Sequence, residues 1–237
     1  SAFDLFDAGM HTVRSHQLIL VPGAEISADK TRRQYRMMTR FRVMPQTVDS
    51  YRIFEKDFIT PEIDEICVSN ASMSFDDYLE CRMFDLTMEV FYNFGIFQEL
   101  LNFLKQYGIS ASSFIKAVHH KARCSSSPLS DLYKDFLGET TECWENKEEL
   151  EKFLSQKGVI GRFVSGEMGN NEQLMYRAII ILKRMGDLNQ IAFDAAKEML
   201  THGGHLNAEI YNYMEELAAF CLLRKKGMLL IQEALVK

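Results

Sequence analysis

The residue types best suited to chemistry gather between Pro22 and Arg42. An apolar run, Leu18-Ile19-Leu20-Val21, stops at Pro22-Gly23-Ala24-Glu25, so a carboxylate rides the turn that ends it. In α/β barrels the loops beyond the carboxyl ends of strands build the active site, because strands fix positions and loops carry the reactive groups. If the run is such a strand, Glu25 is a candidate to touch a ligand or cofactor, with Pro22 and Gly23 shaping the turn beside it. The other reading, a plain turn with an exposed loop acid, stays open. Lys30, Arg32, Arg33, Arg36, Arg40 and Arg42 follow as a local basic cluster. Guanidinium groups fork onto carboxylate or phosphate, so Arg40 and Arg42 are candidates to hold an anionic headgroup. Against that stands a solvated reading, in which Arg32 and Arg33 are helix-surface charges and Arg40 and Arg42 alternate on the exposed face of an edge strand.

Other constellations are weaker. His119-His120 with Cys124, and His202 with His205, lack the paired spacing that a tetrahedral zinc site needs, and read as solvent-facing groups at helix ends. No metal ligand is assigned. No Gly-x-Ser-x-Gly elbow or phosphate-cradling glycine loop is present, so no residue reads as catalytic. Trp144 suits either a partner anchor or a lid over a core.

The elements that must position these residues change character along the chain. Ala2 to Gly9 reads as the end of a helix without a start of its own, which together with Ser1 in place of Met predicts truncation of a longer parent. Thr12 to Val21 predicts a strand whose second half is buried on both faces, as in a parallel sheet. Thr31 to Met38 predicts a short helix, and the region from Arg40 to Ser72 an irregular connector with short β segments near 41–44, 51–54 and 65–68. From Ser74 the spacing turns helical: Phe75, Tyr78, Leu79, Met83, Leu86 and Val90 recur at three- and four-residue intervals behind a Ser74 cap. Further helices are predicted at about 96–107, 110–122, 128–137, 147–157, 171–185, 187–202, 206–224 and 226–236, with a short helix or link at 158–166. The fold class is therefore mainly α with a small α/β amino-terminal part, divided as 1–45, 46–73 and a helical body 74–237.

Composition bounds the function. The 237 residues carry 33 acidic against 27 basic side chains, a formal charge of −6, so no broad cationic field exists for nucleic acid. No apolar run approaches 18 residues, which predicts no membrane span. Five cysteines, odd in number and far apart, read as reduced thiols and make the cytoplasm the default compartment. Assembly into homo-oligomers is left open.

Taken together, Asp7-Ala8-Gly9-Met10, the Leu18 to Glu25 turn, Thr31-Arg32-Arg33-Gln34-Tyr35, Thr39-Arg40-Phe41-Arg42 and Val68-Ser69-Asn70-Ala71-Ser72-Met73-Ser74-Phe75-Asp76-Asp77-Tyr78 are similar to the downstream part of radical S-adenosylmethionine proteins that also carry a cobalamin-binding domain. The resemblance spans roughly residues 1–105. It implies that Thr12 to Val21 is the last strand of a partial TIM-type barrel, with the Pro22 to Glu25 turn at its open mouth. It also implies that the helical body faces substrate or partner, and that the parent binds a [4Fe–4S] cluster, S-adenosylmethionine and cobalamin. The family's Cys-x3-Cys-x2-Cys loop is missing, so no cofactor is expected in this chain itself. Its partner would be the rest of the parent enzyme, with an unknown small-molecule substrate. The rival expectation is a non-catalytic helical interaction module.

Overall fold

Helical spacing after Ser74 is matched by helices nearly throughout. The computed structural model describes residues 1–235, without the side chains of Gln46, Asp49 and 226–235. Two short helices, α1 (Ala2–Asp7) and α2 (Asp29–Tyr35), precede strands β1 (Met38–Ile53) and β2 (Lys56–Ser69). Helices α3 (Phe75–Phe91), α4 (Gln98–Lys105), α5 (Ala111–Arg123), α6 (Ser130–Thr141) and α7 (Lys147–Leu154) follow. The chain continues with α8 (Val159–Val164), α9 (Glu172–Lys183), α10 (Met185–His202) and α11 (Ala208–Leu235). Caps fall where short polar side chains allow them. Ser110 and Asn146 accept the backbone N–H of Ser113 and Glu149, and Ser74 trades bonds with Asp77. At the start of α1 the Ser1 hydroxyl donates to the Asp4 carboxylate at 3.0 Å. The break expected near residue 225 is not there: the backbone of α11 continues through Gly227 to Leu235, and residue 236 lies outside the described residues.

The chain divides into two compact units, each gathered from separate stretches, which the segments 1–45, 46–73 and 74–237 cut across. The first comprises Ser1–Ser15, Met83–Phe136 and Tyr176–Lys237. Its core forms where α10 packs on α5 and α11. Leu188, Ala192, Ala196 and Leu200 recur every fourth residue as one fully buried stripe, against Phe114, Ile115 and Val118 of α5. Alanines at the centre of the stripe let the helix axes come close.

The second unit comprises His16–Arg82 and Leu137–Met175. Its sheet is where expectation and structure part. The connector predicted from Arg40 to Ser72 is instead the greater part of a long antiparallel hairpin, β1 against β2. Between the Val43–Ile63 and Val48–Pro61 pairs the strands fall out of step, and Pro45 sits in the extra loop of β1, where a missing N–H costs no ladder bond. Thr47 closes that bulge by donating to the Met44 carbonyl.

Among the described residues, Thr12 to Val21 is extended but pairs with no parallel strand. Its carboxyl half makes one antiparallel bridge, Ile19 opposite Ile66, through Leu20 N–H to the Glu65 carbonyl at 2.8 Å and Cys67 N–H to the Leu18 carbonyl at 2.9 Å. Burial on both faces fails too, because Leu20 is buried whereas Leu18 and Val21 are exposed. At the amino half, the Asn93 amide holds the backbone N–H and carbonyl of Val13, at 2.9 and 3.0 Å, in place of a neighbouring strand.

On its far edge β1 is bridged at Phe41 by Trp144. The inner half of the hairpin is thus edged on both sides and covered by α7 and α8 through Val43, Leu150, Leu154 and Val159. The outer half has no such cover: residues 50–60 are all exposed, and Phe54 at the tip is 96% exposed.

A carboxylate locks α2 to the sheet. Both oxygens of Glu65 accept from the Arg32 guanidinium, and Thr39 donates to one of them at 2.7 Å. These bonds, Arg32 first, hold the Glu65 carboxyl below its ordinary value against the opposing effect of burial. Glu65→Gln should therefore cost about 1–2 kcal/mol at neutral pH. A depressed folded pKa supplies stability above the unfolded value and loses it as pH falls, so urea titrations should show the variant converging on wild type below about pH 4. Leu150→Ala should cost about 2–5 kcal/mol, whereas Phe54→Ser should stay within about 0.5 kcal/mol, both read by urea unfolding.

Candidate functional site

Asp64, Ile66 and Val68 share one face of β2, and the pleat that buries the two hydrophobes also buries the carboxylate. Arg42 lies directly opposite Asp64 in the register, with Nε 3.8 Å from Oδ2. From α3 comes Arg82, at a position where the helical period turns inward, and from the first turn of α9 comes Glu172. The Glu172 Oε1 accepts from Arg82 at 3.0 Å and from Arg42 at 3.3 Å. Two guanidiniums and two carboxylates thus form a charge-balanced cluster away from water, all four largely buried. Burial raises the Asp64 carboxyl above its ordinary value, opposed by Arg42 and reinforced by Glu62.

Two members of this cluster, Arg42 and Glu172, lie in the polar wall of a cavity of about 430 Å³. Cys143, Trp144, Phe163 and Met168 join them, and Arg162 pairs with Glu167 at 2.7 Å among the lining residues. Burial pushes the Cys143 thiol up, so it presents S–H rather than thiolate. The arrangement suits recognition of a compact polar ligand with an apolar flank. It offers no nucleophile paired with a base.

The sequence-derived candidates divide between this site and the surface. Arg42 is central to it. Arg40, two residues away, is held by Glu145 at 3.4 Å and lies over the Phe75 ring at 4.8 Å, outside the cavity lining. Neither arginine alternates on an open edge, because Trp144 bridges that edge. Pro22, Gly23 and Glu25 lie in an exposed turn pinned by Ser27 to the Val21 carbonyl and by Thr31 to the Glu25 carbonyl, and none of the three lines the cavity. Arg32 is occupied by Glu65, and Arg33 stays at the surface near Asp29.

Asp64, Arg82 and Glu172 escaped sequence reasoning. Charges at inward positions of an otherwise apolar period, Asp64 before Ile66 and Val68, and Arg82 beside Met83, are the mark that could have found them. His119 also needs correction: it is buried rather than solvent-facing, with Nδ1 2.7 Å from the Thr87 hydroxyl, which lies 2.9 Å from Tyr133. His202 and His205 are exposed, as expected. Among the described residues, no group of three or more His, Cys, Asp and Glu is placed to hold a metal ion.

Glu172→Gln removes the charge shared by two buried guanidiniums and should cost about 3 kcal/mol or more, measured by urea unfolding. No protein-family model matches this chain, and no match to it was found among curated proteins.

Proposed function

We propose that this chain is the carboxy-terminal portion of a cobalamin-associated radical S-adenosylmethionine enzyme, where it supplies a helical body facing substrate or partner rather than the radical chemistry. The short patterns at 7–10, 18–25, 31–42 and 68–78 support this reading by their resemblance. The observation that carries it is the apolar surface left open in that same stretch. Leu18, Tyr35, Val21 and Met38 are all exposed, the last two at 56% and 61%. Large apolar side chains collected in one short stretch mark a surface that another folded body covers.

The iron–sulfur cluster would belong to the parent's own domain. This chain's thiols do not fit one: Cys67 and Cys221 are buried, burial raises both thiols, and Cys67 donates to the Ser69 carbonyl. The cavity beside Arg42 would then serve substrate recognition.

A second reading, a non-catalytic helical interaction module, is favoured by the antiparallel bridge at Ile19, which replaces the parallel pairing of a barrel strand. Its docking element would be the outer hairpin, where Tyr51, Ile53, Phe54, Phe58 and Ile59 are exposed.

Expression of the encoding gene without oxygen, followed by reconstitution and assay of S-adenosylmethionine cleavage to 5′-deoxyadenosine, separates the two. The first reading expects cleavage, and expects Val21→Asp with Met38→Asp to weaken association of this chain with the remainder by about tenfold or more. A gene whose coding sequence lacks a Cys-x3-Cys-x2-Cys loop would sink it.

A further inference from the structure

The first unit contains a second cavity, of about 210 Å³, that none of the preceding readings uses. Its walls combine apolar side chains, Ile96, Ile181 and Met185, with Glu89, Arg177, Arg224 and Lys225. Lys225 is only 4% exposed. Its Nζ stands 3.4 Å from the centre of the Phe97 ring and 3.4 Å from the Asn189 amide oxygen, which is turned toward it because the amide nitrogen donates to the Ala218 carbonyl. Burial pulls the Lys225 pKa down to about 7, with Cys221 and Glu99 opposing and Arg224 reinforcing, so much of the amine carries a free lone pair near neutral pH.

Two other lining groups have bonding capacity left over. The Glu89 Oε1 accepts from Arg14 at 3.2 Å and from Asn93 at 3.1 Å, but its buried Oε2 has no hydrogen bond, the nearest cation being Arg177 at 3.5 Å. Arg224 gives one N–H to Glu99 at 3.0 Å, while its buried Nε donates to nothing. Buried polar atoms without a hydrogen bond are uncommon and costly, so a cavity whose lining residues carry two of them, one acceptor and one donor, suits something that supplies the complements. Charge narrows the choice. Of the lining residues, Arg177 and Arg224 are guanidiniums and Glu89 the one carboxylate, and from outside the lining Arg14 pairs with Glu89 and Glu99 with Arg224, so one small anion would balance the charge. The mouth residue Phe94 holds a left-handed backbone (φ 61°), and Arg14 and Arg177 both lie over its ring, at 5.4 and 4.4 Å. Strain of this kind collects at ligand clamps.

We propose that this cavity captures a short 2-oxo acid as a reversible imine on Lys225, with the acid's carboxylate on Arg224 and its carbonyl oxygen passing beside Glu89. The Nζ lone pair attacks the carbonyl carbon, forming the C–N bond as the carbonyl π pair moves onto oxygen. That oxygen takes the proton shed by nitrogen, giving a carbinolamine whose hydroxyl can donate to the Glu89 Oε2. Loss of the hydroxyl with the remaining nitrogen proton releases water and leaves the imine, with no net oxidation or reduction.

The test uses the full chain, pyruvate as probe and added cyanoborohydride, whose hydride converts any imine to a stable secondary amine. Peptide mass mapping should place the adduct on Lys225, formed about tenfold or more faster than on the exposed lysines. Lys225→Met, which fills much the same volume without a charge, should abolish this fast adduct while the thermal midpoint stays close to that of wild type. Arg224→Gln should slow labelling by pyruvate about tenfold, the worth of one charge-assisted hydrogen bond, and leave labelling by neutral acetaldehyde within about twofold. Label spread over lysines in proportion to their exposure in the wild-type chain would overturn the proposal whatever the variants do. Equal slowing of pyruvate and acetaldehyde by Arg224→Gln would overturn the carboxylate assignment.

Discussion

One carboxylate sets the inner structure of the second unit. Glu172 opens α9 and lies between the guanidiniums of Arg42 and Arg82, so it ties β1, α3 and the start of α9 to one point. Charges taken out of water are tolerable only when they find each other with good geometry, and removing one leaves the others stranded. That coupling makes the cluster a poor place for drift in packing and a good wall for a polar cavity. Asp64 adds the fourth member from β2, only 5% exposed, and that burial raises its carboxyl above the ordinary value.

The hairpin depends on the same region. A two-stranded ladder alone in water is marginal, because it exposes unpaired backbone on both edges and apolar side chains on both faces. Here the inner half gains an edge partner on each side, Ile19 against Ile66 and Trp144 against Phe41, with α7 and α8 beneath. Beyond Val48 and Pro61 the cover ends and the ladder continues exposed. An arm of this kind is consistent with either reading of the function, as an element that meets a second body.

The two cavities differ in kind. The one beside Arg42 has its charges paired with one another, two guanidiniums against two carboxylates, although the Arg42 Nε and the Asp64 Oδ2 make no hydrogen bond. The one beside Lys225 leaves an acceptor, a donor and an amine of weakened basicity unspent around a small space.

Legibility followed the range of the interactions. The helices after Ser74 could be read from the residues alone because helical period, caps and terminal glycines act within a few positions, and the structure departs from that reading mainly at helix ends and in α11. The Leu18 to Val21 run was misread because a short apolar stretch does not say which neighbour it will meet: it meets β2 antiparallel at one point, leaving Leu18 and Val21 exposed. The hairpin was hidden by Pro45 and Pro61, which argue against a strand until a bulge accommodates the first. Sequence singled out Arg42 but not its partners, since Asp64, Arg82 and Glu172 come from three distant segments. Local pattern thus determined which stretches are helical, whereas tertiary folding decided which charges are buried together, because desolvation acts on spatial neighbours and takes no account of their distance along the chain.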